Sequence, residues 1–157
     1  MSDPERDLAA DRRAEARRWL AVAEADLRVM QLCLDALPPE LGVAAYHCQQ
    51  ATEKLLKGLL VLAAVPFGKT HDLLRLGDLA KEYYPEIGPA LATVGRFTVW
   101  GFAFRYPGIE DVIHPSPSEL QAAAGAMMPL SAVLRSRAIV AEDDTESSRT
   151  TNEHPPE

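Results

Sequence analysis

Apolar residues return every three or four positions through five stretches of the chain, a period that fits helices and no strand. The first stretch opens at Asp3-Pro4-Glu5, with an acceptor at the cap, proline in the first turn and acid at the positive dipole end. Its apolar face reads Leu20, Ala23, Leu27, Met30 and Leu34, with Arg12, Arg13, Arg17, Arg18 and Glu24 pointing elsewhere. The helix is predicted to run towards Leu37, where Pro38-Pro39 ends it and starts the next. The second stretch, roughly Glu40 to Ala64, places Leu41, Ala44, Cys48, Ala51, Leu55, Leu59 and Leu62 in one narrow arc. That arc is expected to face the core. The opposite arc collects His47, Gln49, Gln50, Glu53, Lys54 and Lys57.

Val65-Pro66-Phe67-Gly68 breaks the second helix. Thr70 is the expected cap of a third, with Asp72 in its first turn and Leu73, Leu76, Ala80 and Tyr83 as its buried stripe, stopping before Pro85. A fourth helix is predicted from about Pro89, carrying Leu91, Val94, Phe97, Trp100 and Phe104 to a stop at Tyr106-Pro107-Gly108. After a loop over Ile109 to Pro115, Ser116-Pro117-Ser118-Glu119 forms a capping box that starts a fifth helix, running to about Ala138. Beyond Val140 the period vanishes, and AEDDTESSRTTNEHPPE is too polar to offset its own ordering, so it reads as a disordered acidic tail. The expected architecture is all-α: an up-and-down antiparallel helical bundle, with residues 1–140 as one domain and 141–157 as the tail.

Composition supports this and narrows the chemistry. A chain of 157 residues, 47% hydrophobic, is long enough for one core without staples. Cys33 and Cys48 both fall at apolar helical positions, so free thiols in a reducing, cytoplasmic setting are expected. No apolar run of bilayer-spanning length occurs, and no membrane association is expected. The net charge is −7, but the tail holds six acids against one base, Arg149, contributing −5 and leaving −2 for the rest. A near-neutral body argues against broad duplex binding while allowing a local basic pocket.

The polar arc of the second helix has two readings, a solvated face with an ordinary Glu53–Lys57 ion pair or a grip on a ligand or partner helix. Adjacent glutamines and a histidine exceed what solubility alone would select. Gly68-Lys69-Thr70 imitates the end of a P-loop, but Ala63 stands where the first glycine belongs, and a helix rather than a strand precedes it. His47, His71, His114 and His154 show no metal-ligand spacing, and no metal or cofactor is expected. Arg105, flanked by Phe104 and Tyr106, suits bidentate contact with phosphate or carboxylate, or equally a structural role at a helix C-terminus. Trp19, Trp100 and Phe102 offer more aromatic surface than a small bundle readily encloses, which points to a homodimer.

Three segments in order, Tyr46-His47-Cys48-Gln49-Gln50 with Glu53-Lys54 and Lys57, then Lys69-Thr70-His71-Asp72-Leu73, then Phe104-Arg105-Tyr106-Pro107, make the chain resemble a HEPN domain over roughly residues 14 to 138. The resemblance implies a bundle of four long helices plus a shorter one, usually a homodimer. It also implies either a nucleotide- or RNA-binding role beside a minimal nucleotidyltransferase, or metal-independent endoribonuclease activity in toxin–antitoxin and antiviral systems. The nuclease branches carry Arg, four to six residues, then His. From Arg105 those positions hold Glu110, Asp111 and Val112, and His114 follows only after eight intervening residues. The expectation is therefore a non-catalytic binding module, with His47, Gln50, Lys54, Lys57, His71, Arg105 and Tyr106 as nucleotide-binding residues. A nuclease would use Arg105 and His114, and a pure interaction domain is the third alternative.

Overall fold

The computed structural model describes residues 3–103 and 115–139. Six α-helices are present among them: α1 (Asp3–Asp35), α2 (Leu41–Leu62), α3 (Leu73–Tyr83), α4 (Gly88–Val94), α5 (Trp100–Ala103) and α6 (Pro117–Ile139). There is no strand among the described residues, so the all-α reading holds. The expected acidic tail, with Arg105, Tyr106 and His114, lies outside the described residues.

The three long helices form the frame. Asp26 of α1 meets His47 and Lys54 of α2, and Trp19 lies beside Gly58, so the two helices run antiparallel. Thr52 of α2 meets Met127 of α6 while Gly58 meets Leu134, so those two run parallel. α6 closes against α1 through the Arg135–Glu24 ion pair and through Arg17, whose Nη1 donates to the Ala138 carbonyl at 3.0 Å. A guanidinium on a helix C-terminal carbonyl satisfies one of the acceptors that the last turn leaves open.

α2 is the centre of the bundle. Thirteen of its 22 residues are buried, including Leu56 and Leu60 beyond the predicted arc. It ends where Ala64 takes φ 56°, with Val65 N–H returning to the Leu60 carbonyl at 2.9 Å and Ala64 N–H to Val61 at 3.1 Å. This closure usually has glycine at the left-handed position, and alanine there carries a strain of about 1 kcal/mol.

Three local expectations are corrected. The cap of α3 is Asp72, whose Oδ1 accepts from Leu74 N at 3.0 Å and Arg75 N at 3.3 Å; Thr70 instead accepts from Asp72 N at 3.2 Å. The end of the α3 stripe is Tyr84, which is buried, whereas Tyr83 is exposed. The fourth helix is broken into two α-helical pieces separated by a 3-10 turn at Gly95–Val99, and a second 3-10 turn at Pro85–Ile87 leads into the first of them. Its apolar period nevertheless works: Val94, Phe97 and Trp100 are buried, and Phe97 stacks on Trp100 with centroids 4.3 Å apart. The predicted capping box of α6 is present, with Glu119 N–H donating to Ser116 Oγ at 3.2 Å and Ser116 N–H to Glu119 Oε2 at 2.8 Å.

Candidate functional site

The polar arc of α2 is not a solvated face. At about 100° per residue it is wide enough for its two edges to meet different neighbours, and each edge is organised by a buried carboxylate. On the α1 side, Asp26 receives His47 Nδ1 at 2.8 Å on one oxygen and the Lys54 ammonium on the other. Asp26 sits in the seam itself, between the buried Ala23 and Met30. Sequence reading passed over it. The available signal was a carboxylate in a slot of the Leu20–Ala23–Met30–Leu34 progression, where a charge is retained only with partners.

On the other side, Glu53 collects three donors. Lys57 Nζ approaches Oε1 at 2.7 Å, Gln49 Nε2 donates to Oε2 at 2.9 Å, and His71 Nδ1 lies 3.0 and 3.2 Å from the two oxygens. Burial works to raise the Glu53 pKa, but the hydrogen bonds from Lys57 and Gln49, the Lys57 charge and the His71 bond outweigh it and bring it below the ordinary value. Lys57 is itself only 8% exposed, with its ammonium 5.9 Å from the Trp19 ring centre and 5.7 Å from that of Phe67. Two aromatic faces and a carboxylate thus replace the water that a buried ammonium loses.

The Glu53 cluster opens on a cleft of about 430 Å³ lined by Gln49, Gln50, Glu53, Thr98, Gly101 and the 69–72 segment. The Ala64 reversal and Gly68, at φ 64°, carry the chain round so that Lys69-Thr70-His71-Asp72 runs past the middle of α2. Thr98 Oγ1 accepts from Leu73 N at 2.9 Å, tying the start of α3 to the broken fourth stretch. Gln50 donates to Gln49 Oε1 at 2.8 Å.

The structure therefore brings Gln50 and His71 to one cleft, together with Gln49, Glu53 and Lys69, which sequence reading had noted without assigning to a site. It sets His47 and Lys54 on the α1 side, around Asp26, and seats Lys57 under Trp19 and Phe67. None of these three lines the cleft. Among the described residues no group of His, Cys, Asp and Glu is arranged to hold a metal ion, and no helix is long and apolar enough to cross a membrane.

Fold and site together define an all-α module whose central helix buries two carboxylate-centred clusters, one of them open to a ligand-sized cleft. The sequence profile of the HEPN domain matches residues 16–128, well over half of the chain. The chain belongs to the HEPN domain family, whose members are nucleotide-binding and RNase-type modules. No curated protein and no solved structure matches it significantly.

Proposed function

We propose that the chain is a non-catalytic HEPN module that binds a nucleotide, or the nucleotide end of a larger partner, in the cleft between α2 and the 69–72 segment. The observation that carries this reading is the cleft itself. Its volume falls within the roughly 300–1,000 Å³ typical of small-ligand sites. It presents the His71 imidazole bonded to a buried carboxylate, the exposed Lys69 ammonium and an amide edge of Gln50. Lys69 makes no ion pair with any described residue and supplies the charge for a phosphate, since Lys54 and Lys57 already lie on carboxylates. His71, whose Nδ1 lies on the Glu53 carboxylate, lines the same cleft, and in its imidazolium form its Nε2–H is the donor for a second phosphate contact. Arg105 and Tyr106, which the family resemblance assigns to the site, are the candidates for a further phosphate grip and a stacking surface.

Titration calorimetry with AMP and ATP tests the reading. Binding is expected in the wild type, weakened about tenfold by Lys69→Ala and by His71→Ala, each removing one charge-assisted contact. Absence of binding at millimolar nucleotide, or indifference to both substitutions, would remove the cleft from consideration.

We infer further that two copies associate through α1. The aromatic argument for a dimer changes: Trp100 is packed inside and Trp19 lies against Lys57, while the side chain of Phe102 is outside the described residues. What supports a dimer is a different surface. Val22, Ala25, Val29 and Leu32 follow one another at helical spacing along α1, with Val22 and Leu32 exposed, the latter at 70%. A minimal nucleotidyltransferase, as implied by the family, is the corresponding partner proposal.

A further inference from the structure

One side chain in the cleft has its orientation set from inside the protein. Glu53 is ionised, and an ionised carboxylate only accepts hydrogen bonds. Its Oε2 therefore takes an N–H of Gln49, which turns Gln49 Oε1 away from it and towards Gln50. Gln49 is 1% exposed, and Gly101 lies so close over its amide that a Cβ there would overlap it, so the amide plane is held in place and the charge of Glu53 decides which end faces it. Gln50 must then present an N–H to that oxygen, as it does at 2.8 Å. The direction of the relay, Gln50 to Gln49 to Glu53, is fixed by the charge at its inner end. Gln50 keeps its Oε1 and one further N–H, neither bonded to a described residue, at the wall of the cleft.

Resting on the nucleotide-binding reading above, we propose that Gln50 is the base-selecting residue of the cleft and that it takes adenine nucleotides in preference to guanine nucleotides. Adenine presents an N6 amine beside the N7 acceptor, the complement of a carboxamide offering one acceptor and one donor. Guanine presents O6 and N7 on the same edge, two acceptors, and its O6 would face Gln50 Oε1. A free glutamine would turn over to offer its N–H to that oxygen. Gln50 does not, because the turn would set its carbonyl against that of Gln49. With the phosphate held at Lys69 and His71, the base has little freedom to escape the mismatch by inverting in the site.

The test is a calorimetric comparison of AMP and GMP on the full chain, wild type and Gln50→Leu. The wild type is expected to bind AMP at least roughly tenfold more tightly than GMP, the discrimination of one good bidentate pair. Gln50→Leu is expected to lower AMP affinity to the GMP level while leaving GMP little changed. Gln50→Asn keeps the amide but withdraws it by one methylene; it should lose the preference too, and it serves if the leucine variant does not fold. Equal affinities in the wild type, or a preference that survives both substitutions, would overturn the proposal while leaving the cleft as a nucleotide site. Binding of neither nucleotide would overturn both.

Discussion

Glu53 is the residue on which most of the site's physics converges. Its carboxylate is buried, yet three donors hold its pKa below the ordinary value. A lowered folded-state pKa contributes stability that is present above the unfolded-state value and is lost as pH falls through the folded one. The affected window lies below about pH 4.3, the usual glutamate value. Urea unfolding followed from pH 7 to pH 3 should show wild-type stability falling through that window. Glu53→Gln should start lower at pH 7, since Lys57 loses its counter-charge, and should show a shallower fall. Equal slopes would mean that another carboxylate governs acid unfolding. Cys48 shows burial acting without compensation: nothing offsets the desolvation, and its thiol is pushed up to about 12.

At the scale of the helices, legibility in the sequence followed the kind of signal. Apolar period predicted α1, α2, α3 and α6, and the capping box predicted the start of α6, because a core stripe and a Ser-Pro-x-Glu start are local facts. The fourth stretch has the same period but breaks at Gly95, where the chain passes so close to Leu74 that a Cβ would lie 2.6 Å from its Cδ2. That approach is tertiary and leaves no local trace. The site was half legible for the same reason: Gln50 and His71 stood out as unusual residue types, whereas Asp26 looked like one more helical acid until α2 was laid beside it. Two glycines inside helices give a paired prediction. A Cβ at Gly58 would meet Leu134 at 2.8 Å and Trp19 at 3.2 Å, whereas at Gly125 nothing lies within 4 Å. Gly125→Ala should gain up to about 1 kcal/mol of helix propensity. Gly58→Ala should lose about 1 kcal/mol net, because overpacking the α1–α2–α6 seam exceeds that gain. Thermal unfolding of the two variants should therefore move in opposite directions.

For the molecule as a whole, α2 is touched from every side, by α1 and α6 along its length and by α3 and α5 across its middle. Among the described residues the outer face of α1 bears Val22 and Leu32 exposed at helical spacing, and it carries the dimer prediction. Light scattering should give twice the chain mass at micromolar concentration, and Val22→Glu with Leu32→Glu should return it to the monomer mass without loss of helicity. A wild-type monomer would contradict the assignment. The buried clusters also bear on how such a chain can diverge. Exchanging Glu53 or Lys57 singly strands an opposite charge away from water at a cost of several kcal/mol, and losing Asp26 leaves the half-buried Lys54 without its counter-charge, while exchanging a whole set for apolar residues of similar volume is close to neutral. Inheritance at these positions is therefore by block: descendants should keep each set intact or replace it together, and intermediates should be rare.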